Sequence, residues 1–308
     1  MHPAPSIIVF TTLSGLGYGL AAVLGLGLLD PAALAAKAAY ILALVLISGG
    51  LLASTLHLGN PQRAWRALSQ WRSSWLSREG VMAIVTFVPL VWSAWASVIE
   101  SRYLALPGLA GSLLSLGTVF CTAMIYTSLK SVQAWHTPLT PASYLLFSAA
   151  GGLVVASAFG FAGAGNTSLL AWLAIAALAA AWAVKAAWRR NMQALVPIST
   201  PETATGLGAI GKVRLFERPH MTENYLTREM GFKIARKHAG KLWTIAVVLG
   251  GVVPALTLLV LSVAGQASGF LAAGLAIAAM LSHVVGVLAE RWLFFAEARH
   301  AVMNYYGE

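Results

Sequence analysis

Seven histidines, ten carboxylate side chains and a basic, tryptophan-rich stretch are the groups of this 308-residue chain that could do chemistry. His57 closes one long apolar run, His283 lies inside another, and His136 follows a third. An imidazole so placed can hydrogen-bond between helices or to a headgroup. It can also bind a quinone carbonyl and relay the proton that accompanies each electron. As one of two axial ligands on facing helices it could hold a haem b. Haem needs two such rings at matching depth, and the sequence repeats no in-span histidine pair, which argues against it. The single cysteine, Cys121, sits in an apolar run and excludes both an intrachain disulfide and a four-cysteine iron–sulfur cluster. No metal site is expected.

More candidates cluster close to His57 in sequence. Arg63 and Arg66 could anchor lipid phosphate, bind a partner's carboxylate or orient a quinone. Glu79, after Ser77-Arg78, could pass protons, pair with Arg78 or favour a helix N-terminus. Tyr126 and Trp135 read as packing or interfacial residues.

These groups have to be positioned by unusual elements. Residues are 58% hydrophobic and only 10% charged, and mean hydropathy is +0.76; soluble domains carry roughly 25% charge. The apolar runs are continuous, which excludes the alternating pattern of a membrane β-barrel. A hydrocarbon core of about 30 Å needs about 20 helical residues. Eight runs meet that test, near Ser6–Leu29, Leu34–Leu58, Val81–Ile99, Leu109–Leu129, Ala142–Ala162, Ser168–Trp188, Leu242–Ala264 and Gly269–Ala289. The expected fold is an all-α integral membrane bundle of about eight transmembrane helices, one domain over residues 1–308. The first residues lack the basic region of a cleavable signal peptide.

With eight spans both termini lie on one side, here side A. Of the 20 Lys and Arg residues, 18 fall on side A and two, Lys37 and Arg102, on side B. Such asymmetry assigns side A to the cytoplasm of a bacterial inner membrane. The net charge of +10 therefore speaks for membrane topology and not for nucleic acid. By the expected span limits, His57, His136 and His283, about 21 Å from side B, all lie in the side-A half.

Two side-A segments exceed simple linkers. Asn60 to Trp75 interleaves Trp with Arg63, Arg66 and Arg72, as an interfacial segment would. The basic connection at about 189–241 is too long for a plain loop and suits a lipid-surface element or a docking surface. Arg66, Arg72, Arg214, Arg218 and Arg228 are its candidates, with the first segment, for partner docking.

The stretch Ser54-Thr55-Leu56-His57-Leu58-Gly59-Asn60-Pro61-Gln62-Arg63-Ala64, followed by Leu76-Ser77-Arg78-Glu79, resembles the membrane-anchor subunits of the dimethyl sulfoxide reductase family. The resemblance implies a subunit without a metal of its own. It would anchor an iron–sulfur subunit and a molybdopterin catalytic subunit and exchange electrons with ubiquinone or menaquinone. It places His57 at the quinone site, with Glu79 and then Arg63 as further members; His283 joins them on the residue argument. The basic loop, with Arg218-Pro219-His220 and Asn224 to Met230, is similar to that family's branch serving cytoplasmic sulfite:quinone oxidoreductases. So is the tail from Glu290 to His300. The alternatives are a reductase anchor oxidising menaquinol and, of another class, a transporter or assembly protein. Transporters usually carry repeats and broken helices; no repeat is evident, and Pro89 and Pro254 interrupt spans.

Overall fold

Burying backbone in lipid leaves only helices to satisfy every N–H and C=O, and helices are what the computed structural model contains. It describes all residues except 1, 57, 59, 215, 218–221, 223, 225–229, 231–233, 264–268 and 307–308; at 61, 234–236 and 304–306 it describes backbone alone. Eight helical spans among the described residues are long and apolar enough to cross a membrane. They comprise α1 (Pro5–Leu24), α2 (Leu34–Thr55), α3 (Trp75–Val98), α4 (Ala105–Thr127), α5 (Leu139–Phe159) and α6 (Thr167–Ala194). After a short helix α7 (Pro201–Thr205), the seventh span joins α8 (Ile234–Val247) to α9 (Val253–Val263) through a π turn. The eighth is α10 (Phe270–Ala296).

The helix α1 is central: 72% of its apolar window is buried inside the protein, against 28% for α2 and α6. It packs against α2, α4 and α5. Close approach to α5 depends on missing side chains, because a Cβ on Gly19 would strike the Ser148 backbone and one on Gly152 would strike Gly19. Between α5 and α6 the chain turns through Gly163 (φ 110°), Gly165 (φ 85°) and Asn166 (φ 52°). That is the tight turn expected from Gly163-Ala164-Gly165-Asn166-Thr167, and the Asn166 amide fastens it to the Leu28 carbonyl at 2.5 Å.

Three spans are longer on side A than hydropathy alone indicates. Helix α3 begins at Trp75 and not near Val81, α6 continues to Ala194, and α10 to Ala296. In each extension charged residues enter the bundle because a partner there compensates them. Glu79, Lys185, Glu290 and Arg291 are all buried. Arg291, expected in a side-A connection, is therefore a span residue, and Lys185 lies within the expected sixth span. The longer α10 also moves His283 from the side-A half to the middle of its helix.

The π turn Val248–Val252 lies just before Pro254. Proline offers no N–H to the carbonyl four residues back, and its ring crowds that carbonyl. Here that carbonyl belongs to Gly250, and His283 Nδ1 donates to it at 2.6 Å.

Candidate functional site at the side-A ends of the spans

A 3₁₀ segment, Pro61–Gln70, caps the side-A end of the bundle between α2 and α3. The guanidinium groups of Arg66 and Arg72 lie over the neighbouring rings of Trp65 and Trp71, at 5.5 and 5.3 Å. Arg63, Arg66 and Arg72 are exposed. Arg78 folds back to close the turn, donating to the carbonyls of Trp71 and Arg72 at 3.0 and 2.7 Å and stacking on Trp75 at 4.3 Å.

Arg78 is thus committed to the turn, and its expected alternative pairing with Glu79 is not made. Glu79 points inward and accepts a short hydrogen bond from the Thr122 hydroxyl of α4. The residue is only 6% exposed. Helix α3 is capped instead by Ser74, whose hydroxyl accepts from the Ser77 amide at 3.5 Å. Leu68 of the 3₁₀ segment rests over Gly80, where a Cβ would come within 2.8 Å of its Cδ2. A carboxyl group is therefore held under a basic, aromatic cap, facing a hydroxyl and not solvent.

The structure does not bring His283 to this place. Glu79 is about 6 Å from the side-A end of α3, whereas His283 is about 20 Å from the side-A end of α10. His283 is fully buried, and the Gly250 carbonyl requires its Nδ1 to carry the proton. It is bound into the α9–α10 packing and satisfies the carbonyl left without a donor by Pro254. His57, Arg218 and Arg228 lie outside the described residues, as does His220. Arg214 is exposed. Among the described residues, no group of three or more His, Cys, Asp or Glu side chains is placed to hold a metal ion.

A second charged assembly adjoins the first and has no counterpart in the sequence-derived site. Lys185 Nζ of α6 meets Glu290 Oε1 of α10 at 2.5 Å, and Arg291 Nε lies 3.4 Å from Glu290 Oε2. The Lys185 ammonium sits 3.8 Å from the centre of the Trp188 ring, and the Arg291 guanidinium 3.9 Å from that of Tyr144. Tyr144 stacks on Tyr126 at 5.7 Å. At the outer edge Arg189 NH2 pairs with Glu297 Oε1 at 3.4 Å. Glu297 lines a side-A cavity of about 440 Å³ together with Gln133, Gln193, Arg299 and His300. Burial holds the Glu297 carboxyl above the usual carboxylate range, opposed by Arg189 and Lys185. Burial also lowers the His300 imidazole, whose Nδ1 accepts from the Val302 amide at 3.1 Å. The sequence signal was available: Lys185 with Trp188, and Glu290-Arg291 with Phe294, interrupt apolar helical runs at spacings that share a face.

The DMSO reductase anchor subunit (DmsC) family matches the chain over residues 1–296. A sulfite dehydrogenase subunit of Allochromatium vinosum is 36% identical over 330 aligned positions, which cover 99% of each chain. No solved structure matches.

Proposed function

The chain belongs to the DMSO reductase anchor subunit (DmsC) family, and from that premise we propose that it is the quinone-reactive subunit of a sulfite-oxidising complex. Its partners are an iron–sulfur subunit and a molybdopterin catalytic subunit. Iron–sulfur clusters in the first would bring electrons to the membrane surface, and the second would oxidise sulfite. The observation that carries this reading is Glu79, a buried carboxyl at the side-A end of α3, aimed at Thr122 beneath the Arg63–Arg72 segment. Reduction of a quinone requires two protons as well as two electrons, and a carboxyl sheltered from water is a suitable donor to a reduced quinone oxygen.

His57 orients one quinone carbonyl, Glu79 supplies protons, and Arg63 helps place the headgroup. His283 has a packing role in this reading, since its Nδ1 is occupied by Gly250. The exposed Arg66, Arg72 and Arg214, with Arg218 and Arg228, receive an acidic face of the iron–sulfur subunit by electrostatic complementarity. Side A is the cytoplasmic side of the inner membrane, because positive charge collects in its short connections. The similarity to a sulfite dehydrogenase subunit over 99% of both chains favours sulfite oxidation over menaquinol-driven reduction.

The test is purification from native membrane followed by turnover. The chain is expected to bring an iron–sulfur protein and a molybdenum protein with it. His57→Ala should leave that assembly intact and reduce quinone turnover at least about a hundredfold. Isolation as a lone polypeptide would remove the anchor reading, and unchanged turnover in the variant would remove His57 from the site.

A further inference from the structure

A partner seated on the Arg63–Arg72 segment covers the shortest way from side-A water to Glu79, which is already buried. Turnover would then need protons from elsewhere. The described residues offer a series of titratable and charged side chains that leads toward Glu79 from a cavity the Arg63–Arg72 segment does not line. It begins at the cavity of about 440 Å³ beneath the C-terminal segment, where Glu297 and His300 meet solvent. Glu297 contacts Arg189 at 3.4 Å, and Arg189 lies one helical turn from Lys185 on the same face of α6. Lys185 contacts Glu290 at 2.5 Å, and Glu290 contacts Arg291 at 3.4 Å. Arg291 covers the Tyr144 ring at 3.9 Å, and Tyr144 stacks on Tyr126 at 5.7 Å. Tyr126 stands one turn along α4 from Thr122, the hydroxyl bound to Glu79.

We propose that this series is a lateral proton path, feeding Glu79 from the cavity between the α4–α5 loop, the end of α6 and the C-terminal segment. It rests on the reading of Glu79 as proton donor to quinone. Each quinone takes two electrons from the partner's clusters and two protons through Glu79. Each proton that leaves Glu79 is replaced from the cavity through Glu297, Lys185–Glu290 and the tyrosine pair. Arg189 and Arg291 hold the carriers in line. The ring-to-ring steps, where the Tyr144 hydroxyl has no hydrogen-bond partner among the described residues, require bridging water.

The ionic cluster ends at the cavity on one side and at the tyrosine pair of α4 and α5 on the other. The purely structural role is nevertheless separable by experiment. Removing Glu290 or Lys185 alone strands a buried charge and can prevent folding, so the informative variants are Tyr126→Phe, which deletes one hydroxyl, and Glu297→Gln at the cavity. The complete complex, its clusters reduced beforehand, is mixed with a short-chain quinone in water and in deuterium oxide, and cluster reoxidation is followed. Both variants are expected to slow reoxidation roughly tenfold or more, with an enlarged solvent isotope effect and an unchanged KM for quinone. Cluster reduction by the catalytic partner should stay at the wild-type rate.

Glu79→Gln serves as the reference. If it is slow while Tyr126→Phe and Glu297→Gln match wild type in both solvents between about pH 6 and 9, the path is wrong and the Glu79 reading stands. If Glu79→Gln itself reoxidises at the wild-type rate, both fall together.

Discussion

At the scale of single residues, burial in a low-dielectric layer forces each ionisable group to find its own compensation. Glu79 accepts a hydrogen bond from the Thr122 hydroxyl, a neutral partner. Lys185 receives Glu290 and two aromatic faces, those of Trp188 and Phe294 at 3.8 and 5.0 Å. His300 shows the same rule outside the spans. Its Nδ1 must stay unprotonated to accept from Val302, and burial lowers its pKa below the ordinary value of 6.5. The unfolded segment therefore binds more protons than the folded one, so local stability is complete above the unfolded value and declines as pH falls below it. Protection of the Val302 amide, corrected for intrinsic exchange, is expected to fall as pH drops below about 6.5. In His300→Gln that pH dependence should vanish; if it persists, another group controls the segment.

At the scale of elements, two predictions concern how helices meet. The π turn of the seventh span is stabilised by the His283 hydrogen bond to Gly250. His283→Leu should cost about 1–3 kcal/mol by leaving that carbonyl unpaired in an apolar interior. Adding Pro254→Ala returns a backbone donor to Gly250, so the double variant should recover part of the loss. Thermal unfolding in detergent of the two single variants and the double variant measures the coupling, and strict additivity would dismiss it. The α1–α5 contact is decided by space alone. Gly19→Ala drives a methyl group into the Ser148 carbonyl and should destabilise the bundle by about 1–3 kcal/mol. Gly15→Ala, with nothing within 4 Å of the added carbon, should stay within about 0.5 kcal/mol of wild type. The same melts report both.

For the whole molecule, topology and function are linked through charge. Even span number puts both chain ends beside the basic connections, the surface on which the proposed partner docks. A cytoplasm-dependent reporter fused after Glu308 should therefore be active, and the same fusion made in the connection near Arg102 should be silent. The opposite pattern would invert the orientation and move the Glu79 surface to the other face of the membrane.

Much of this architecture is written in one dimension. A run of about 20 apolar residues has no stable state in lipid other than a helix, so eight spans, their order and their charge asymmetry follow from local composition. The Gly163–Thr167 turn is equally local. The motif around His57 and Glu79 was legible as a pattern, although the inward aim of Glu79 was not. That aim depends on Arg78 being taken by the carbonyls of Trp71 and Arg72 and on Thr122 arriving from another helix. Lys185, Glu290 and Arg291 were read as ends of spans because hydropathy scores a charge as an interruption. Only the tertiary structure brings Lys185 of α6 to Glu290 of α10 and Arg291 to the Tyr144 ring of α5, the counter-charges and rings that let these residues lie inside. His283 likewise reads as a free imidazole until Gly250, 33 residues away along the chain, offers it a carbonyl. Composition determines which segments leave water; the pairing of groups distant in the chain is decided by the tertiary structure, because a buried polar group is settled by its neighbours in space.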